Sequence, residues 1–459
     1  MSKDSGHATS RIDMRGVLDV VLAVLGLAVA FVCHLHINAV DAALVSWVIV
    51  ALSLYACVAV RKNRLLLLLF GIILYANYSI CFANYINPVE GVLATSLADT
   101  SAARVALLYL LVFMSILVGF LPKKVNQYSY GSPCFTGYKE NSSIAVLLLM
   151  LLLLICIFGF TRPDSLGAER GSSSSLYEYS IILFILVFYF SNQKKWLTIL
   201  SLTVLALFVL QDIAYGGRIT AIQLLVVAFF FVFNKDTKSS ILLAIVACLL
   251  IFFISFGGVR TQVWEDGLTA LLDSFQNILD TGLAWDTAYS AWHTSITFIQ
   301  FDSLVSPSEH MYYVGQWLLS LVLGGSAVAD SNLAAVTHLY FAHSYGGILP
   351  VYLAFYFGVP GIIAIAFLVS AFVSLVNRFC MKSDLTFNCW QSALRLGMLY
   401  FVATAPRWFI YSPSQLIRGL ALMLILSFVV LLINEMMNKR EEHKTTNRVL
   451  RSSVKDEHI

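Results

Sequence analysis

The sequence predicts an all-α polytopic membrane protein of about twelve transmembrane helices, on three observations. Of 459 residues, 59% are hydrophobic and 12% are charged, and the mean hydropathy is +0.81, which excludes a soluble globular domain. Apolar stretches long enough to cross a bilayer recur along the whole chain. Basic clusters return after every second stretch, as they do when loops alternate between a positive inner side and a less positive outer side.

The spans fall near 17–35, 43–60, 65–85, 103–121, 143–160, 177–192, 196–213, 219–234 and 239–256, and after a long interval near 348–377, 389–405 and 416–436. The chain thus divides into a cytoplasmic start (1–16), a first block of spans (17–256), a large extracytoplasmic loop (257–346), a second block of spans (347–436) and a basic cytoplasmic tail (437–459). Arg11/Arg15, Arg61-Lys62-Arg64, Lys123-Lys124, Lys194-Lys195, Lys235/Lys238, Arg378/Lys382 and Lys439-Arg440 all fall on one side, which places both termini in the cytoplasm. No small-residue cleavage site follows the first span closely, so it reads as an uncleaved anchor. All eight cysteines lie in spans or cytoplasmic loops, so no disulfide framework is expected. The net charge of +3 suits anionic lipid headgroups and gives no reason to invoke a nucleic acid partner.

Within the large loop, Leu268, Leu271, Leu272, Phe275, Ile278 and Leu279 keep helical spacing with polar residues opposite, which predicts an amphipathic helix on the membrane surface. The stretch Met311 to Leu323 predicts a second. The loop also carries Trp264, Trp285, Trp292 and Trp317, and four histidines, His293, His310, His338 and His343. Flat aromatic faces such as those of Trp264 and Trp292 pack on sugar rings, and equally anchor a protein at the bilayer interface. The apolar run from Ile348 to Val376 is too long for one straight span, and Gly358-Val359-Pro360-Gly361 interrupts it. A kink, or a break between a surface helix and a true span, is expected there.

The charges separate by residue type. All thirteen lysines fall on the inner side, whereas Arg104, Arg162, Arg170, Arg218, Arg260, Arg407 and Arg418 sit at or beyond the opposite mouths. A single arginine at a span end is best read as snorkelling to headgroups. Lysine snorkels equally well, so the missing lysines need another reason. The guanidinium fork binds phosphate oxygens bidentately and keeps its proton when partly desolvated. Arg218, Arg260, Arg407 and Arg170 head the candidates for holding a phosphorylated lipid, with Arg162 and Arg418 beside them. Gly216-Gly217 and Gly257-Gly258 precede Arg218 and Arg260 and would permit close backbone approach. Arg395 lies inside the eleventh span, where a charge usually faces a partner or a cavity. His343, followed by Ser344, is the candidate general base, because imidazole exchanges protons near neutral pH. No HExxH, CxxC, Asp-x-Asp or Walker lysine occurs, so no metal or other cofactor is indicated and a metal-free reaction is expected.

This set of features resembles the bacterial O-antigen polymerases of the Wzy type, in a superfamily shared with the O-antigen ligases. The resemblance spans almost the whole chain. It rests on the twelve-span plan, the large late loop, the Gly216-Gly217-Arg218 turn, Arg260 after the ninth span, and the run from His343-Ser344 to Gly358-Val359-Pro360-Gly361. It implies a GT-C-like bundle in the inner (cytoplasmic) membrane with periplasmic surface helices. It also implies transfer of a growing glycan from undecaprenyl pyrophosphate to a new lipid-linked repeat unit, without a cofactor and with release of undecaprenyl pyrophosphate. Arg218 and Arg260 would stabilise the leaving pyrophosphate and His343 would take the acceptor proton, with a chain-length regulator and a flippase as membrane partners. Two alternatives stand beside it: a ligase moving finished chains to a lipid A core, and a flippase or transporter of the same lipid-linked glycan.

Overall fold

A computed structural model describes residues 14–86, 97–98, 100–125, 141–161, 172–191, 194–214, 217–233, 287–342, 346–379 and 388–456, with isolated positions at 269, 273 and 276. The described chain is helical apart from a two-residue antiparallel contact between β1 (Phe160–Thr161) and β2 (Ser172–Ser173). In order come α1 (Met14–Leu35), α2 (Ala42–Val60), α3 (Arg64–Cys81, extended by a π turn over Phe82–Ile86), α4 (Ser101–Gly119), α5 (Ser142–Phe158), α6 (Ser175–Glu178), α7 (Ser180–Ser191), α8 (Lys195–Ala214) and α9 (Ile219–Ala228). Then follow α10 (Thr287–Asp302), α11 (Pro307–Leu323), α12 (Leu333–His338), α13 (Leu349–Phe379), α14 (Cys389–Ala403), α15 (Ala405–Ile410), a π turn (Gln415–Gly419) and α16 (Leu420–Asp456). Seven of these helical stretches are long and apolar enough to cross a membrane, and three shorter apolar helices lie at 142–158, 176–191 and 219–231. The protein is therefore a multi-pass α-helical membrane protein. The expected span at 239–256 and the amphipathic helix expected over 268–279 lie outside the described residues, save for the isolated helical positions 269, 273 and 276.

Local sequence sets the helix starts. Asp41, Asn63, Thr100, Asn141 and Asn388 each accept a hydrogen bond from a backbone N–H of the turn that they precede, satisfying donors that no carbonyl within the helix can reach. Small residues then allow close crossing. A Cβ on Gly26 would lie 2.2 Å from the Ser115 hydroxyl and one on Gly119 would lie 2.8 Å from the Ala23 Cβ, so α1 packs on α4 at a distance that glycine alone permits. The acid inside the first span, Asp19, accepts a 2.5 Å hydrogen bond from the Tyr55 hydroxyl of α2 and is thus held inside the bundle rather than against lipid.

The bundle has two chemically distinct ends. Hydrogen bonds from Lys194 to Ser142, from Asn377 to the Lys124 carbonyl and from Asn141 to Asn434 gather one end, and all described lysine side chains belong to it. Arg395 also belongs there, with its Nη2 donating to the Phe379 carbonyl at 3.4 Å. Links from Arg104 to the Asn38 carbonyl, Arg218 to Thr287, Arg407 to Glu178 and Trp317 to Ser414 gather the other end. Among the described side chains, that end carries arginines and no lysine.

The long apolar run breaks where its sequence requires. Gly358 has φ 63° and ψ −156°, a backbone region open to glycine, and Pro360 lacks an N–H, so the helical ladder opens across the last turn before the kink. The Nε2–H of His310 donates to the Phe355 carbonyl of that turn. The segment before the kink is not a surface helix: Leu349 through Tyr356 is buried throughout, packed among other helices. Gly358→Ala is expected to cost about 1–3 kcal/mol, because the side chain cannot adopt this backbone geometry unstrained. Thermal unfolding in detergent would measure the loss, and an unchanged melting temperature would contradict this account of the kink.

The region expected as an extracytoplasmic loop is divided in the structure. Pro307–Leu323 does form the second expected helix, opened by a capping box between Ser306 and Glu309. Thr287–Asp302, in contrast, enters the bundle, with eleven of its sixteen residues buried against α3, α4 and α13. Its buried hydroxyls bond within the helix, since Ser295 donates to the Ala291 carbonyl at 2.8 Å and Thr297 to the Thr294 carbonyl at 2.7 Å.

Candidate anion-binding site

Two of the expected arginines meet at the lysine-free end. A proline at its start opens α15 immediately after Thr404, and the new helix is fixed by Trp408, which stacks on Phe401 of α14 at 5.1 Å and donates its indole N–H to the Phe401 carbonyl at 2.9 Å. With Trp408 committed to the core, its neighbour Arg407 turns to α6 and forms an ion pair with Glu178. Their side chains are 17% and 25% exposed, so solvent screens the pair weakly. Burial alone would lower the Arg407 pKa, but the charge and hydrogen bond of Glu178, with Tyr400 and Tyr179, raise it above the ordinary value. Arg407 is charged at any physiological pH.

Arg418 arrives from the π turn. Its guanidinium carbon stands 5.5 Å from the ring centre of Tyr179, a cation–π distance, and no carboxylate among the described residues pairs with it. Tyr179 feels both guanidinium charges. Two glycines make room for this arrangement. A Cβ on Gly419 would lie 2.1 Å from the Tyr400 hydroxyl, and one on Gly324, at φ +99°, would lie 2.8 Å from Arg418 Nη1. Among the described residues, the cluster therefore holds two permanent cations and one carboxylate, beside the phenols of Tyr179 and Tyr400. Such a set can bind an anion with several oxygens, using the fork of Arg418 directly while Glu178 keeps Arg407 oriented.

Arg218 stands at the start of α9 on the same end. Its Nη2 donates to Thr287 Oγ1 at 3.2 Å, and the first turn of α9 is held by Asp212, whose carboxylate accepts from the Ala221 N–H at 3.1 Å. Gly217 is required there, since a Cβ would meet Asp212 Oδ1 at 2.1 Å. Of the expected glycine pair, Gly217 is thus explained by the buried acid beside it, and Gly216 lies outside the described residues.

Other expectations are redirected. Trp292, expected at a sugar or at the bilayer interface, is fully buried in α10, where it packs into the core. Trp317 is 2% exposed, donates to Ser414 Oγ at 3.1 Å and stacks on Tyr356. His293 is likewise inside α10, edge-on to Tyr289 at 4.5 Å. His343, Arg260, Arg170, Arg162 and Trp264 lie outside the described residues. Gly346 and Gly347, shortly after His343, pack against the loop that carries the arginines, with the Gly347 N–H donating to the Tyr411 carbonyl at 3.1 Å.

Glu178, Tyr179, Tyr400 and Asp212 were not singled out from the sequence. Glu178 had a usable signal, because an acid beside the mouth of an apolar span invites a search for its cation. Among the described residues, no three His, Cys, Asp or Glu side chains converge to hold a metal ion. No protein-family model, no curated protein and no solved structure matches this chain.

Proposed function

We propose that this protein polymerises lipid-linked oligosaccharide repeat units, moving a growing glycan from undecaprenyl pyrophosphate to the terminal sugar hydroxyl of a new lipid-linked repeat. The reading places it in the bacterial inner membrane, with about twelve spans in a GT-C-like arrangement, both termini cytoplasmic and the lysine-free end periplasmic. The observation that carries it is the meeting of Arg407 and Arg418 about Tyr179 with Glu178 as the described counter-charge. In the reaction, the bond between the donor's anomeric carbon and the pyrophosphate oxygen breaks while a bond to the acceptor oxygen forms. Negative charge grows on the departing pyrophosphate, so guanidinium groups fixed beforehand stabilise the transition state more than the ground state. The acceptor proton passes to a base, for which His343 is the candidate, and Arg218 and Arg260 are further candidates for the same electrostatic task.

A binding comparison tests the anion assignment without requiring the right sugar. Purified protein in detergent is titrated with farnesyl pyrophosphate and with farnesyl monophosphate, following thermal stabilisation. The diphosphate is expected to stabilise the protein at concentrations about tenfold or more below the monophosphate, since a second phosphate adds charge-assisted hydrogen bonds worth roughly 1.5–3 kcal/mol. Equal effects from both lipids would remove the pyrophosphate assignment.

A further inference from the structure

The connection between α11 and α12 joins the guanidinium cluster to a second patch of different chemistry, and we infer that this patch holds the growing glycan several sugars away from its diphosphate. The inference rests on the proposed reaction and adds where the donor chain lies and which sugars suit it. Tyr340 and Tyr312 are 61% and 46% exposed. Beneath them the buried Phe301 ring lies 5.2 Å from that of Tyr340 and 5.7 Å from that of Tyr313, and Tyr313 adjoins Tyr312 at 5.5 Å. The exposed rings therefore rest on the core. Acids stand around them: Tyr313 feels the charges of Asp330 and Glu309, and the Tyr312 hydroxyl donates to Asp330 Oδ2 at 3.1 Å. Residues 287–342 contain no lysine or arginine.

The chemistry selects the occupant. Aromatic faces cover the C–H faces of sugar rings, and carboxylates accept hydrogen bonds from hydroxyl or amino groups. The same carboxylates repel phosphate and uronic acid groups, so the patch suits the uncharged or amino sugars of a chain and opposes anionic lipid headgroups. Position selects the donor. Gly324 lies against Arg418, and Tyr312 precedes it by twelve residues on α11, about 18 Å of helix. A donor with its diphosphate at Arg418 carries sugars outward along this path, whereas an acceptor reaching the cluster with its terminal sugar would bring its own diphosphate toward the acids. The path is open, since Gly325, Ser326, Ala327 and Ala329 are exposed and small. Ser331 folds the connection by donating to the Gly325 carbonyl at 3.2 Å, and Asp330 beside it reaches Tyr312. Asp330 has φ 53°, a left-handed conformation that aspartate and asparagine adopt more readily than most side chains.

Donor affinity tests this in the full chain. Lipid-linked chains of several uncharged repeats are taken from the wild-type product ladder, and their KM as donors is measured for wild type, Tyr340→Ala, Tyr340→Phe and Asp330→Asn. Thermal stabilisation by farnesyl pyrophosphate, which carries no sugar, is measured on the same preparations. Tyr340→Ala is expected to raise KM for the long donor about tenfold with kcat nearly unchanged, the loss of one aromatic contact that ground state and transition state share. Tyr340→Phe keeps the ring face and is expected to restore the wild-type KM. Asp330→Asn keeps the backbone, removes the charge and is expected to raise KM in the same direction. Farnesyl pyrophosphate is expected to stabilise all four proteins equally. An unchanged KM in both Tyr340→Ala and Asp330→Asn would overturn the inference. So would an equal loss of stabilisation by farnesyl pyrophosphate, because the patch would then serve the fold or an anchor in the membrane. Tyr312→Ala provides a second reading should the Tyr340→Ala protein fail to fold. A wild type that forms no ladder would instead remove the proposed reaction itself.

Discussion

Arg418→Lys is expected to slow chain elongation on the order of 10²-fold, the usual loss when one preorganised donor to developing charge is removed. Arg418 has no described carboxylate partner, so its hydrogen bonds are available to a ligand, and its position is set by the Tyr179 ring and by the backbone at Gly324. Lysine keeps the charge but loses the planar fork, and its ammonium is more strongly hydrated. Folding should be little affected, because Arg418 is half-buried and closes no described ion pair. Elongation rate and melting temperature measured on the same preparation separate the two effects. Elongation at the wild-type rate in the lysine variant would show that bidentate phosphate binding is not the task of Arg418.

Glu178→Ala is expected to destabilise the fold by about 3 kcal/mol, at the lower end for breaking a buried ion pair because both partners keep some solvent contact. The loss comes from leaving the Arg407 cation poorly solvated, and not from the attraction as such. The double variant Glu178→Ala with Arg407→Ala is therefore expected to recover much of the stability. Denaturant titration of the four proteins in the cycle measures the coupling. A double variant as unstable as Glu178→Ala would mean that Glu178 supports the fold through other contacts. Elongation should fall in the double variant even where stability returns, since one of the two cations is gone.

Seven of the spans and the kink were legible because each is set by chemistry that is local in sequence. Apolar length identifies a spanning helix, and Gly358 with Pro360 marks its break; the caps Asp41 and Asn63 are equally local but were not singled out. The burial of α10 was not legible. Thr294, Ser295 and Thr297 make the segment read as polar, yet each returns its hydroxyl to a carbonyl of its own helix and can enter the core at little cost. That one misreading also put Trp292 at the surface. At the candidate site, the absence of lysine pointed to the arginines, and Arg407 and Arg418 do meet. Their partners Glu178 and Tyr179 come from a helix far away in sequence, so the pairing is a fact of tertiary packing that no local pattern encodes.

The central claim, a polymerase acting on lipid-linked repeats, is tested most directly by giving purified protein one synthetic undecaprenyl-pyrophosphate oligosaccharide repeat, with no nucleotide, metal or second acceptor lipid added, and separating the products on a gel. The account predicts a ladder whose rungs differ by one repeat, with undecaprenyl pyrophosphate released at each step. A repeat that stays unextended with each of several sugar sequences, while vesicles carrying the protein move the same labelled lipid across the bilayer, would contradict it.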